Sequence, residues 1–174
     1  MKSRIVLLIL LLMMVIQPGY GQNTSKKALR LKAKIVKDHY IDSLINTKTF
    51  EFVANRALPQ GWESVDLTTN HNFLKFDPEL IESYMPYFGR AYSVDYGGDG
   101  GIKFGAKPLE YNIAKAKNGK GYEVNVTVSD IKDVYKLSLF VSPDGNATLN
   151  INCNQKSSIS YMGEVGKVEK PVEK

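Results

Sequence analysis

The second half of the chain alternates apolar and polar side chains in short segments separated by turn residues. In one segment Tyr122, Val124, Val126 and Val128 form the apolar face, and polar residues occupy the positions between them. Segments with the same period of two cover residues 109–113, 135–141, 147–153 and 159–165. Consecutive strands joined by such short turns must pair antiparallel, because a parallel crossover needs a dozen or more residues. We therefore predict a β-meander with one buried and one solvated face.

The segment 25–46 shows the period of a helix instead. Its apolar stripe consists of Leu29, Ala33, Val36, Tyr40 and Leu44. Six basic residues precede the first acidic residue, Asp38. The stripe can pack on the sheet while the lysines face water, or the helix can lie on an anionic membrane surface. We favour packing on the sheet, because Tyr40 is the only aromatic residue in the stripe.

The period of two returns after the helix and predicts strands over 50–54, 62–67 and 72–76. Asp77-Pro78-Glu79 then resembles a helix start, and we predict a short helix that Pro86 ends. The fold class is therefore α+β, with an N-terminal amphipathic helix packed on a curved, mainly antiparallel β-meander sheet that resembles a half-barrel.

The N-terminus has the pattern of an export signal. Lys2 and Arg4 precede an apolar run over 5–16, which is too short to cross a bilayer core, and small residues suit cleavage between Gly21 and Gln22. We predict a periplasmic or extracellular protein that has no stable membrane span after cleavage. It is not predicted to be a lipoprotein, because no cysteine lies near the end of the apolar run.

These patterns divide the chain into a signal peptide, a helix, one β-rich domain and a disordered charged tail. Their predicted boundaries are 1–21, 22–48, 49–165 and 166–174. The net charge of +5 falls to about +3 without the signal peptide, which does not favour a nucleic-acid partner. Cys153 is the only cysteine, so an intrachain disulfide is excluded, and its place in an alternating segment predicts a buried, inert thiol.

The run from Tyr84 to Phe104 combines aromatic residues with clustered glycines, which suggests an ordered connection buried against the sheet. Its possible ligand or partner surface consists of Tyr84, Tyr87, Phe88, Arg90, Tyr92 and Tyr96. Arg90 has two possible roles. Its guanidinium can bind a ligand carboxylate or phosphate, or it can hold the segment shut by stacking on the rings or by pairing with Asp95 or Asp99. We favour the structural role.

Catalytic, cofactor and metal patterns are weak throughout the sequence. Asp95 and Asp99 lack the ligand spacing of a calcium loop, and the glycines around them do not open a helix as in a dinucleotide site. Neither His39 nor His71 has a neighbour at metal-ligand spacing. We therefore predict no metal, no cofactor and no catalytic residue.

The sequence also resembles a known family. YMPYFGRAY, GGDGGIKF, DGNATLNI and SSISYMGEV follow in an order similar to that of exported proteins from Gram-negative gut bacteria, catalogued as domain of unknown function 4251. The likeness extends over about 45–165. The shared positions that it implies are Pro86, Tyr87, Phe88, Gly89, Arg90, Tyr92, Gly101, Ile102, Phe104, Ser158, Tyr161 and Gly163. It implies an envelope location and a single domain, and it carries no catalytic residue over.

These observations favour a non-catalytic binding or interaction module of the cell envelope, whose partner is an envelope protein or a small ligand. One alternative is a lipocalin-like carrier of a small apolar or sugar ligand, which requires a cavity of several hundred Å³. The other is a hydrolase, which requires a polar cleft where His39 or His71 meets a carboxylate.

Overall fold

The computed structural model of the protein describes residues 22–92, 100–117, 119–131 and 133–168. The described residues divide into two compact units, the first ending at Val36 and the second beginning at Lys37. The predicted signal peptide and residues 169–174 of the predicted tail lie outside the described residues.

Helix α1 runs over Gln22–Asn46 and contributes to both units. In the second unit Ile41, Leu44 and Ile45 are buried in the core. The hydroxyl of Thr47 caps the helix by donating to the carbonyl of Leu44 at 2.6 Å.

The prediction for the helix stripe is wrong along most of its length. Leu29, Ala33, Val36 and Tyr40 are exposed, and Leu44 alone in the predicted stripe is buried. The reason is that the packed face contains Ile41 and Ile45, which the sequence pattern had placed at the edge of the stripe.

Ten strands follow the helix in the part of the chain that the structure describes. They are β1 Phe50–Pro59, β2 Val65–Asp66, β3 Phe73–Phe76, β4 Ile81–Met85, β5 Ile102–Ala106, β6 Pro108–Lys115, β7 Tyr122–Ser129, β8 Val134–Val141, β9 Asn146–Asn152 and β10 Ile159–Gly166. All of their ladders are antiparallel. The predicted α+β class and the meander from β6 to β10 are confirmed. Strand β10 extends through Gly166, one residue into the predicted tail.

The strands form one sheet that is nearly closed into a barrel. Their order is β5-β4-β3-β1-β10-β9-β8-β7-β6, with β2 paired to β1. The first and last strands of this order, β5 and β6, are separated in sequence only by Lys107. One extended segment therefore pairs with β4 through its first half and with β7 through its second half, which joins the two edges of the sheet.

Aromatic side chains fill the interior of this barrel. Phe50 and Phe76 are fully buried and stack with ring centroids 4.8 Å apart. Phe104 on β5 stacks on Tyr135 of β8 at 4.4 Å, although these strands are not neighbours in the sheet. Such stacked pairs add about 0.5–1.5 kcal/mol beyond their buried area. The Phe50–Phe76 pair joins the neighbouring strands β1 and β3, whereas the Phe104–Tyr135 pair helps to hold the two sides of the barrel together.

The predicted short helix after Asp77 is wrong, because residues 81–85 form strand β4. Asp77 does cap a turn, since its carboxylate accepts the backbone N–H of Glu79 at 2.8 Å. The chain then alternates, with Ile81, Ser83 and Met85 buried. Strand pairing on both sides, with β3 and β5, outweighs the local helix signal.

Candidate functional site

A buried carboxylate organises residues 153–157, which we call the docking turn. Asp133 lies just before β8 and is 8% exposed. It accepts the backbone N–H groups of Asn154 at 3.0 Å and Gln155 at 2.9 Å, and that of its neighbour Val134 at 2.7 Å. Burial acts to raise the pKa of this carboxyl, but the hydrogen bonds outweigh it and hold the pKa below its usual value. The docking turn is therefore tied to the β7–β8 connection by an ionised side chain.

We expect Asp133→Asn to lower the free energy of unfolding at pH 7 by about 2–3 kcal/mol, because charge-assisted hydrogen bonds are lost to an amide that also brings two N–H donors. The folded pKa of Asp133 lies below its value in the unfolded chain, so its contribution is complete above about pH 4 and is lost as the pH falls through the folded pKa. Urea unfolding should show that the difference in the free energy of unfolding between parent and variant becomes smaller below about pH 4. A gap that stays constant with pH would contradict this role of the carboxylate.

Residues 86–92, which we call the rim segment, pack against the docking turn. The backbone N–H of Tyr92 donates to the carbonyl of Gln155 at 2.7 Å. The N–H of Ser157 donates to the carbonyl of Arg90 at 2.9 Å. At the start of the segment, the buried Tyr161 donates its hydroxyl to the carbonyl of Pro86 at 2.7 Å. The rim segment is thus held along its length by the strand and turn beneath it.

Tyr87 and Gly89 complete this contact. The hydroxyl of Tyr87 lies 2.8 Å from the carbonyl oxygen of Arg90 and 2.8 Å from Oγ of Ser157. Gly89 has φ +154°, and a Cβ there would lie 2.7 Å from the Tyr87 hydroxyl oxygen. A side chain at position 89 would therefore displace the tyrosine from its partners.

Beside the rim segment lies a surface groove with a volume of about 540 Å³. It is lined by Pro59, Trp62, Glu63, Val65, Phe88 and Gly89. Trp62 is the only tryptophan in the chain and is 66% exposed, whereas Phe88 is half-buried against the core. The groove therefore joins the turn after β1 to the rim segment and has an aromatic side chain on each.

The structure separates the predicted surface residues into distinct environments. Phe88 lines the groove, and Arg90 and Tyr92 follow it as exposed side chains. The hydroxyl of Tyr87 is engaged in hydrogen bonds within the fold. Tyr84 lies on the outer face of β4, where its ring lies 5.9 Å from that of Phe73.

The structural role predicted for Arg90 and the partners predicted for its side chain have different outcomes. The residue does help to hold the segment, but through its backbone carbonyl, whereas its side chain is exposed. The predicted partners Asp95 and Asp99, and the predicted surface residue Tyr96, lie outside the described residues.

Sequence reasoning missed Trp62 as a site residue. The sequence pattern placed it at the start of a strand over 62–67, but the strand is limited to Val65–Asp66 and Trp62 lies in the preceding turn. The available signal was its position after Pro59-Gln60-Gly61, which predicts a turn and therefore an exposed indole.

The two histidines lie in different places. His71 is exposed and its ring lies 5.6 Å from that of Phe73. His39 lines a small pocket of about 180 Å³ together with Asp38, Asp42 and Tyr122. Burial, followed by the hydrogen bond that Tyr122 donates to Asp42, raises the pKa of the tyrosine to about 12, so its hydroxyl stays protonated.

Cys153 is half-buried and packs against the core, so it is less buried than predicted. Burial, with the nearby Asp133 carboxylate, raises the pKa of its thiol. In the described part of the chain, no helix is both long and apolar enough to span a membrane. The same residues contain no group of three metal-binding side chains placed to share an ion.

Comparison with known proteins identifies a family but no activity. A curated protein with significant similarity was not found. The crystal structure of a DUF4251 family protein from Bacteroides eggerthii has a similar fold, with a TM-score of 0.57 and 18% sequence identity over 75% of this chain and 87% of that one. The family model described as "Domain of unknown function (DUF4251)" matches residues 32–165. The chain therefore belongs to the DUF4251 family.

Proposed function

We propose that the protein is an exported, non-catalytic binding module of the cell envelope and that its ligand docks in the groove between Trp62 and Phe88. The export pattern in the sequence of residues 1–21 supports the location. The binding role follows from the groove, because concave sites with aromatic walls and a few polar groups are where proteins bind ligands.

The observation that carries the proposal is the exposure of Trp62. A tryptophan buries a large area when it is covered, and leaving it 66% exposed forgoes that stabilisation. Phe88 lines the same groove, and Glu63 supplies one exposed carboxylate there. Aromatic anchors of this kind dominate binding energy in known interfaces.

The packed interior favours this surface site over a carrier function. A lipocalin-like carrier needs an internal cavity, whereas Phe50, Phe52, Phe76 and Tyr161 are fully buried inside the barrel. To admit a ligand, the barrel would have to displace side chains that already form stacked pairs.

The His39 pocket does not fit a hydrolase of the Ser–His–Asp type. It contains carboxylates and a histidine, but no serine, threonine or cysteine is among the described residues that line it. The hydroxyl of Tyr122 is engaged with Asp42 and stays protonated, so it is a poor nucleophile. A hydrolase of the Ser–His–Asp type would therefore lack its nucleophile among these residues.

The proposal is tested by capture from envelope extract. Immobilised parent protein, Trp62→Ala and Phe140→Ala are incubated with the extract, and retained proteins and small molecules are identified by mass spectrometry. Phe140 is the matched control, because it is an exposed aromatic residue on the outer face of β8 that lines a different surface pocket and not the groove. We expect the parent and Phe140→Ala to retain the same species. Trp62→Ala should bind it about 30-fold more weakly, the loss typical of a 2 kcal/mol anchor.

A double variant, Arg90→Ala with Tyr92→Ala, distinguishes the groove from the exposed end of the rim segment. If this variant loses the captured species while Trp62→Ala keeps it, the ligand binds the rim segment and the groove proposal is wrong. Circular dichroism of each variant establishes that the fold is intact.

A further inference from the structure

The first turns of helix α1 carry a dense positive charge. Lys26, Lys27, Arg30, Lys32 and Lys34 lie within residues 26–36, and the sequence from 22 to 37 contains no acidic residue. Of these five residues only Lys34 has a carboxylate at an i+3 or i+4 position, that of Asp38, so ion pairs within the helix cannot neutralise most of this stretch.

The basic residues share one side of the helix. At about 100° per residue, Lys26, Lys27, Arg30 and Lys34 fall within an arc of about 100°. The aliphatic residues cover most of the remaining circumference, and among the basic residues Lys32 alone lies within their arc. These aliphatic residues are Ala28, Leu29, Leu31, Ala33, Ile35 and Val36.

The apolar arc is not the face that the helix buries further along. By the same angular count, Ile41, Leu44 and Ile45 lie on the side that carries the basic residues earlier in the helix. Those three side chains are buried, whereas Leu29, Leu31 and Val36 are 64%, 59% and 68% exposed. The aliphatic arc of residues 28–36 is therefore an exposed apolar surface.

We propose that residues 26–36 bind the surface of a bilayer that contains anionic lipids. The aliphatic arc would enter the headgroup boundary while the basic arc contacts lipid phosphates, and Lys32 would extend its charge to the interface. The positive charge of residues 26–36 favours an anionic bilayer over other partners. A second copy of the helix would bring like charges together, and a nucleic acid would leave the aliphatic side chains in water.

Vesicle sedimentation tests the proposal with the full chain. Binding to phosphatidylcholine vesicles with and without phosphatidylglycerol is compared at low and high salt. Every variant keeps residues 1–21, and the neutral vesicles measure how much these residues contribute to vesicle binding. The basic variant is Lys27→Gln, Arg30→Gln and Lys34→Gln. Its matched control removes the same charge from exposed lysines elsewhere, by Lys117→Gln, Lys136→Gln and Lys167→Gln. Glutamine forms helices well, so helix α1 is retained.

We expect the parent and the control to bind anionic vesicles equally and to be released by salt. The basic variant should bind about 100-fold more weakly, because each cation near an anionic surface contributes about 1 kcal/mol. Leu29→Gln, Ile35→Gln and Val36→Gln together should also weaken binding to these vesicles. Equal binding of the basic variant and its control, or no preference of the parent for phosphatidylglycerol, would overturn the proposal. So would an aliphatic variant that binds like the parent.

Discussion

Asn72→Ala should lower the free energy of unfolding by about 3–5 kcal/mol, because it leaves two buried backbone groups unpaired. The side chain of Asn72 is buried and takes the place of a neighbouring strand. Its Oδ1 accepts the N–H of Ala54 at 2.8 Å, and its Nδ2 donates to the carbonyl of Ala54 at 3.0 Å and to that of Asn70 at 2.9 Å. Strand β1 pairs with β3 before this position and with β2 after it, so the side chain bridges the gap between the two ladders.

Denaturant unfolding monitored by circular dichroism measures this effect. Asn70→Ala is the matched control, since Asn70 lies in the same loop, is exposed and offers only its backbone carbonyl to Asn72. We expect the control to stay within about 0.5 kcal/mol of the parent, as surface substitutions do. Equal stability of the two variants would show that Asn72 does not replace a strand.

Gly163→Ala should destabilise the protein by about 3 kcal/mol, the upper end of the usual cost of overpacking. A Cβ at position 163 would overlap the carbonyl oxygen of Val53 and lie 2.8 Å from Cα of Ala54. Both are backbone atoms of β1, next to the point where its register with β10 shifts between Ala54 and Arg56. A rotamer change cannot relieve this clash, so the ladder itself must move.

Gly166→Ala is the matched control in the same strand, because a Cβ there has no heavy atom within 4 Å. It should unfold within about 0.5 kcal/mol of the parent, or be slightly more stable because alanine restricts the unfolded chain. The measurement is again denaturant unfolding. If Gly163→Ala is as stable as Gly166→Ala, the close approach of β1 and β10 does not depend on glycine.

Much of the fold could be predicted because strand alternation is a local signal. The faces of β7 and β8 follow directly from Val124, Val126, Leu137 and Leu139, which are all buried. Closure of the barrel could not be predicted, since it depends on one extended segment pairing with two strands far apart in sequence. Strand β4 was missed for a related reason. The Asp77-Pro78 turn signal is the same for a helix and for a strand, and only pairing with β3 and β5 distinguishes them.

The candidate site was only half predictable. The aromatic and glycine content of the rim segment indicated an ordered connection, and the hydrogen bonds of Tyr87 and the position of Gly89 agree with that interpretation. Trp62 could not be linked to Phe88 from the sequence, because 25 intervening residues form three strands before the chain returns to the groove. The sequence also could not show that Arg90 holds the rim segment through its backbone carbonyl, since this hydrogen bond depends on the position of Ser157 in the fold.

The groove proposal is tested most directly by nuclear magnetic resonance on the labelled protein. Trp62 is the only tryptophan, so the spectrum contains one tryptophan indole N–H resonance. This resonance is assigned to Trp62 directly and reports on the groove. When the species captured from envelope extract is added, we predict that this resonance and the backbone amides of Phe88 and Gly89 shift together and saturate. Shifts confined to the outer face around Phe140 and Thr148, with an unchanged indole resonance, would contradict the proposal.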